Sequence, residues 1–563
     1  MISDMNKIMK ENTALQPGER LSLALKSSQP YKIFRALPSE DLYLMILDAD
    51  PEDLELAIKY ASVEQHRDII DLYVWEKDEI HPELVMDWLR RLLECDESKL
   101  VKVMAKLDPE VLIYTFKNYI FVWLQEDSHE PIPEFEGIDS EPKSLDSQFF
   151  YFHRGNEYAD TIDSILIFVF NYSYRAYWNL MQGCQHELPL ELIENAYHWR
   201  TNRMEEKGFL NYLDSQAIFV EFGMEEMERM KQSPQGTPDA LSIPEDGKIV
   251  SHSYFFGFSG SSFLEKAMGK AEEQGEIHDL KYQTILTMNK LISASVPSMT
   301  DIREIKNCIK KGMDTLSLAL DYLSDGRLDL ATEFLSGSRT ETLFRVGYSL
   351  INNLARELKG FFLESNIINQ ETFFLLGWPG TEILNGMLKS PPLFFNVEAR
   401  EFSNFESKEQ VRSTKKFLDE VRCLDRLFYE KFQLQLGSLE EMGNSNLYQE
   451  DLAFSNLFIS GLCNVILYKH FEFKAIPAAQ LPEIRKKAFR KENGIFTLSQ
   501  EYREEFQKWF EELASGEEEE KRQVTNHILK TWTDEFVEEF GAIDPNVKID
   551  PRFIKTFLIK KGV

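Results

Sequence analysis

Apolar residues recur at helical spacing through the first 125 positions, in short sets divided by polar starts. Leu42, Met45 and Ile46 form one set, and Leu54, Ala57 and Ile58 the next. Ile69, Ile70, Tyr73 and Val74 follow, then Leu84, Val85, Trp88, Leu89 and Leu92. Each set is one stripe on one helix. The helix-start signals are Leu37-Pro38-Ser39-Glu40-Asp41-Leu42, Asp50-Pro51-Glu52-Asp53-Leu54, Ser62-Val63-Glu64-Gln65, His81-Pro82-Glu83-Leu84, Asp96-Glu97-Ser98-Lys99 and Asp108-Pro109-Glu110-Val111. Asp or Ser before the first turn accepts a hydrogen bond from an unsatisfied backbone N–H. Pro at the first helical position lacks the N–H that would go unpaired, and first-turn Glu or Asp faces the positive end of the helix dipole. Ser62 and Gln65 have the spacing of a capping box. Several starts recur roughly every twelve residues, which leaves about ten residues per helix. Helices this short cannot bury a stripe alone. The pattern therefore predicts an N-terminal superhelix of short stacked helices over residues 31–125, with one helix as the repeat unit.

Further along, the pattern predicts larger helical blocks. Residues 1–30 read as a polar arm. Residues 126–148 read as an acidic linker carrying Pro131, Pro133 and Pro142. A helical domain over 149–231 includes the apolar stretch from Asp160 to Leu180 and a helix begun by Glu187-Leu188-Pro189-Leu190-Glu191. Residues 232–262 form a loop, ending in a short strand and turn at Tyr254–Gly260. A helical domain over 263–400 contains a helix hairpin turning at Asp325-Gly326-Arg327. It is interrupted at Gly377-Trp378-Pro379-Gly380 and at Pro391-Pro392. A C-terminal helical domain fills 401–563, with an acidic break at Gly516–Glu520. Strand signals are sparse, so the expected fold class is all-α with little or no sheet.

Composition narrows the function classes. The 563 residues are 43% hydrophobic and include 41 Phe, enough for substantial cores. The formal net charge of −31 argues against nucleic acid as a partner, because phosphate affinity comes largely from Lys and Arg. The best basic patch, Lys486, Lys487, Arg490 and Lys491, reads as a solvated helix face. Five Cys, none in a CxxC pair, read as buried free thiols in a reducing compartment. The opening Met1–Asn6 has no basic region followed by an apolar run, which predicts no signal peptide. Ile165–Phe170 is the strongest apolar run and falls far short of the roughly 20 residues a membrane span needs. The expected location is cytoplasmic, without membrane insertion.

Candidate chemistry concentrates in Ala196-Tyr197-His198-Trp199-Arg200-Thr201-Asn202-Arg203. On a helix, Tyr197, Arg200 and Arg203 share a face. Two guanidinium groups beside an aromatic ring can clamp a carboxylate or phosphate, so Tyr197, His198, Arg200 and Arg203 are the candidate ligand-binding residues. The structural alternative packs these arginines on Trp or Tyr and pairs them with Glu191, Glu194 or Asp214. His198 near Glu191 and Glu194 lacks the spacing of a carboxylate-bridged diiron site. Gly257-Phe258-Ser259-Gly260-Ser261 misses the nucleophile-elbow pattern, and no phosphate-binding glycine loop is present. Met224, Met227 and Met230 form a soft stripe that reads as core packing. No catalytic residue, metal site or cofactor is expected. Weak Mg²⁺ binding to clustered carboxylates remains open.

Residues 30–120, through Leu37-Pro38-Ser39-Glu40-Asp41, Asp50-Pro51-Glu52-Asp53 and Leu107-Asp108-Pro109-Glu110, resemble the cytosolic N-terminal superhelical domain of MgtE-type bacterial magnesium transporters. That resemblance implies a regulatory domain responsive to magnesium. The nucleotide-binding-type module and membrane channel of those transporters have no counterpart here, so transport is not implied. The whole chain resembles an uncharacterised bacterial family of large cytosolic proteins carrying a domain of unknown function. The phrases that suggest it are Leu37–Tyr43, Trp75-Glu76-Lys77-Asp78, Ala196–Arg203 with Gly208-Phe209, and Leu343-Phe344-Arg345-Val346-Gly347-Tyr348. It brings no known activity and no catalytic residue.

Stacked helices make extended concave surfaces. The leading expectation is therefore a cytosolic scaffold or regulatory interaction protein with a protein partner. The alternatives are a divalent-cation-responsive regulator, and an enzyme or small-anion-binding protein acting through Tyr197–Arg203.

Overall fold

The computed structural model describes residues 15–126, 131–133, 135, 140–232, 253–257, 261–275, 277–435, 445–447, 451–492, 495–543 and 550–560. The chain divides into two compact units, Met1–Tyr348 and Ser349–Val563. Helices dominate both, and every described sheet has only two strands. The fold is all-α.

In the first unit the helices begin where the start signals stand. Helices α1 (Pro17–Leu25) and α2 (Pro30–Ala36) precede α3 (Ser39–Leu47), α4 (Pro51–Tyr60) and α5 (Val63–Tyr73). A tight hairpin of β1 (Trp75–Glu76) and β2 (Glu79–Ile80) leads to α6 (Pro82–Cys95), α7 (Glu97–Met104) and α8 (Pro109–Tyr119). The capping box forms: Ser62 Oγ accepts the Gln65 N–H at 3.1 Å, and Gln65 Oε1 accepts the Ser62 N–H at 2.7 Å. The Gln65 amide also donates to the Phe34 and Leu37 carbonyls at 2.6 and 2.8 Å. One residue thus starts α5 and holds the end of α2. Packing skips a neighbour, with α1 on α3, α2 on α4, α3 on α5, α4 on α6, α5 on α7 and α6 on α8. The stripes close together this way, and Leu42, Met45, Ala57, Ile58, Ile69 and Leu89 are fully buried.

Three expectations need correcting. The polar arm is helical from Pro17, because Leu21 and Ala24, one turn apart, are fully buried; residues 1–14 lie outside the described residues. The acidic segment 126–148 is flanked by a hairpin, β3 (Ile120–Leu124) antiparallel to β4 (Phe149–His153), with Ile120 opposite His153. β3 is aromatic and β-branched and β4 is aromatic, but the long connection hides the turn that would announce them. The expected strand at Tyr254–Gly260 is instead a 3-10 turn, Ser253–Phe255. Tyr254 and Phe255 are both buried there, which a one-faced strand does not allow. Residues 258–260, with most of the Gly257–Ser261 phrase, lie outside the described residues.

The first unit continues with α9 (Ala159–Tyr172), α10 (Tyr174–His186), α11 (Pro189–Glu205), α12 (Tyr212–Ser215), α13 (Met224–Lys231), α14 (Phe263–Glu273) and α15 (Ile277–Ser295). Next, α16 (Ile302–Ser324) and α17 (Leu328–Gly337) form the expected hairpin. Asp325 (φ 54°) and Gly326 (φ 79°) adopt the left-handed turn between them, and the Gly326 N–H reaches the Asp321 carbonyl at 3.1 Å. Helix α18 (Thr340–Glu364) crosses the division of the chain.

The second unit contains α19 (Gly380–Leu388), the hairpin of β5 (Phe394–Asn396) and β6 (Glu401–Ser403), α20 (Lys408–Arg426) and α21 (Phe454–Tyr468). Strand β7 (Ile476–Pro477), α22 (Leu481–Ala488) and the hairpin of β8 (Phe489–Glu492) and β9 (Ile495–Leu498) follow. The chain then forms α23 (Gln500–Leu513), α24 (Glu519–Ala542) and β10 (Ile559–Lys560), which runs parallel to β7. Its core is aromatic. Phe428 and Phe454 lie 4.5 Å apart between ring centroids, Phe432 and Phe471 4.7 Å, and Phe458 and Trp532 5.8 Å. Among the described residues, no helix is long and apolar enough to cross a membrane. All five cysteines are unbridged, and four are buried.

Candidate functional site

Helix α11 carries all four candidate residues, and the structure divides them among three environments. Arg203 reaches into the stacked short helices. Its Nε and Nη2 donate to both Asp71 carboxylate oxygens at 2.8 and 2.9 Å, and its two Nη groups donate to Asp108 at 3.1 and 2.6 Å. These partners come from α5 and from the start of α8, not from Glu191, Glu194 or Asp214. Burial pushes the Asp71 carboxyl up against the pull of Arg203; burial also lowers the guanidinium, but the hydrogen bonds it donates to Asp71 and Asp108 outweigh that and raise it. One turn on, Lys207 bonds Asp68 at 2.6 Å and Glu40 at 3.4 Å. Charge pairs between segments about a hundred or more residues apart thus pin α11 and the turn after it to the helical stack.

His198 points the other way. It lies exposed, with Nε2 3.3 Å from the Asn202 amide. Among the described residues, no three His, Cys, Asp or Glu side chains gather as a metal ion requires.

Tyr197 and Arg200 meet Trp75 on the β1–β2 hairpin. The Arg200 guanidinium sits over the Trp75 ring, 5.2 Å from its centroid, and the Tyr197 ring lies 5.9 Å from the same ring. Arg200 Nε donates to the Asp71 carbonyl at 2.7 Å, which fixes the plane of the fork. No described residue accepts from its Nη groups. Burial lowers the pKa of this guanidinium, with Asp71 opposing, and it stays charged.

A cavity of about 690 Å³ opens beside this trio, within the range of small-molecule sites. Gly208 reverses the chain just before the lining residues Phe209 and Leu210. Its positive φ of 84° ends α11, and a Cβ there would meet the Leu286 carbonyl oxygen at 2.9 Å. The reversal leads Phe209 and Leu210 into α12, where Tyr212, Leu213 and Asp214 line the space. Lys77 and Asp78 come from the hairpin tip, and Ser293–Pro297 from the end of α15. Lys77 lies 5.8 Å from the Tyr212 ring centroid. An aromatic wall, one oriented guanidinium and a few polar groups suit a small organic ligand with an acidic end.

None of the rest of the candidate chemistry is among the residues lining the cavity. Lys487 of the basic patch pairs with Glu483 at 2.9 Å. Met227 alone of the methionine stripe is fully buried, and Met224 is half exposed. The residues that sequence reasoning missed are Trp75, Lys77, Asp78 and Ser293, while Asp214 was named only as an ion-pair partner for the arginines. Trp75-Glu76-Lys77-Asp78 was quoted for a family likeness rather than for chemistry, and Ser293 carried no signal.

Residues 4–560 match one family model, described as a family of unknown function, DUF6178. The chain belongs to that family. The match runs through residues 30–120 and gives no support to a separate transporter-like segment there, which corrects the magnesium-transporter resemblance. No curated protein and no solved structure matches the chain. Membership in DUF6178 carries no activity, so the reading of the cavity rests on its own geometry.

Proposed function

We propose that the protein is a cytosolic ligand-binding regulatory protein whose first unit takes a small organic carboxylate with a flat or apolar body. The observation that carries this reading is Arg200. Its Nε is held by a backbone carbonyl, its plane rests on Trp75, and its Nη groups, unclaimed by described residues, belong to a residue lining a ligand-sized cavity. Such a fork is oriented before the ligand arrives, which lowers the ordering cost of binding.

Isothermal titration with 3-phenylpropanoate tests it. We expect saturable binding that Arg200→Lys weakens about tenfold, because an ammonium cannot reproduce the fork. Tyr212→Ala, at a half-exposed wall position, weakens binding while leaving the melting temperature unchanged. Absence of binding, or equal binding by Arg200→Lys, overturns the proposal.

A second reading, a protein-interaction role, is favoured by apolar side chains exposed at the start of α11, where Leu188 is 60% and Leu190 72% exposed. Leu190→Glu should then release a co-purifying partner without unfolding the chain. Retention of every partner by that variant counts against it.

A further inference from the structure

Four charged side chains line the cavity, and their signs balance. Lys77 and Arg200 are cationic; Asp78 and Asp214 are anionic. A simple anion drawn to Arg200 would also face two carboxylates. Asp214 receives the Asn211 amide, whereas Asp78 stands at the hairpin tip without a hydrogen bond or ion pair to any described residue.

The end of α15 adds an acceptor. The Ser293 carbonyl would ordinarily receive the N–H four residues on, but that residue is Pro297 and has none. The Val296 N–H, three residues on, goes to the Ile292 carbonyl at 2.8 Å. Ser293, a lining residue, thus has a carbonyl without its helical donor at a helix end whose dipole favours positive charge. Tyr197, Phe209 and Tyr212 supply apolar surface between the charged groups.

We infer that the cavity takes a zwitterion, an apolar α-amino acid: carboxylate on Arg200, ammonium toward Asp78 and the α15 carbonyl terminus, side chain against the aromatic wall. The inference rests on the cavity being the ligand site proposed above.

Titration of the full-length protein with phenylalanine and leucine, with their N-acetyl and carboxamide forms, and with 3-phenylpropanoate tests it. The expected result is that a free amino acid binds at least tenfold tighter than its N-acetyl form, its amide or the propanoate. Asp78→Asn should remove most of that advantage, weakening amino-acid binding and relieving the repulsion felt by the N-acetyl anion, with the melting temperature as the fold control. If the N-acetyl forms and the propanoate bind as tightly as the amino acids, the zwitterion is overturned and the carboxylate site stands. If the amides bind tightest, or nothing binds, both fall.

Discussion

Around α5 in the first unit, Glu40, Asp68, Asp71 and Asp108 converge on Arg203 and Lys207, with contacts of 2.6–3.4 Å. Around α21 in the second unit, Phe428, Phe432, Phe454, Phe458, Phe471, Trp509 and Trp532 crowd together with no charge among them. The contrast separates two tasks. Rings gain energy in many arrangements, so an aromatic core stabilises without fixing one geometry tightly. Desolvated ion pairs contribute little net stability, yet they tolerate one register and punish its loss. The unit with the candidate cavity is the one positioned by charge.

The largest effect should come from the aromatic side. Phe458→Ala empties a fully buried position and should cost about 4 kcal/mol, read by urea unfolding of the full chain. A loss below about 1 kcal/mol would mean the rings repack freely. Next, Arg203→Met strands the buried Asp71 carboxylate and should cost about 3 kcal/mol, while adding Asp71→Asn should recover much of it. Without that recovery, Arg203 acts through packing rather than charge.

The pH response sharpens the contrast further. His66 is buried in the first unit, with Nε2–H donating to the Ile58 carbonyl at 3.0 Å and Nδ1 accepting the Trp88 indole N–H at 3.3 Å. The bond from Trp88 needs an unprotonated Nδ1, and burial, with Lys99 nearby, pushes the His66 pKa down to about 3 against the pull of the Ile58 carbonyl. Below pH 6.5 the unfolded chain takes up a proton that the folded chain refuses, so stability falls as pH falls through the window from 6.5 to 3. Between pH 6.5 and 5 the loss should reach about 2 kcal/mol, and His66→Gln should flatten that slope. The smallest effect tests a helix start: Ser62→Ala should cost about 1 kcal/mol, because it removes one half of the capping box.

The starts of α3 through α8 were legible because caps and prolines act within one turn of chain. The hairpin at Asp325-Gly326 was legible for the same reason. What escaped depends on distance along the chain. Arg203 was singled out, but of its partners Asp108 read only as a helix start and Asp71 carried no signal. Pairing β3 with β4 requires closing a long loop that no local signal reports. Tyr197 and Arg200 were named from one helix, yet the cavity they line draws on a hairpin tip, the turn at Gly208 and the end of α15. Each of those pieces is locally unremarkable, and only tertiary packing gives them a common purpose.

Asp71 makes two bonds that differ in kind: its carboxylate holds Arg203 and its carbonyl holds Arg200. Fraying of the last turn of α5 therefore releases the pin and the recognition group together. A ligand gripped by Arg200 raises the free energy of that opening, so its binding should register as slower amide hydrogen exchange at Leu72–Val74. Occupancy of the cavity would then be written into the breathing of the helical stack.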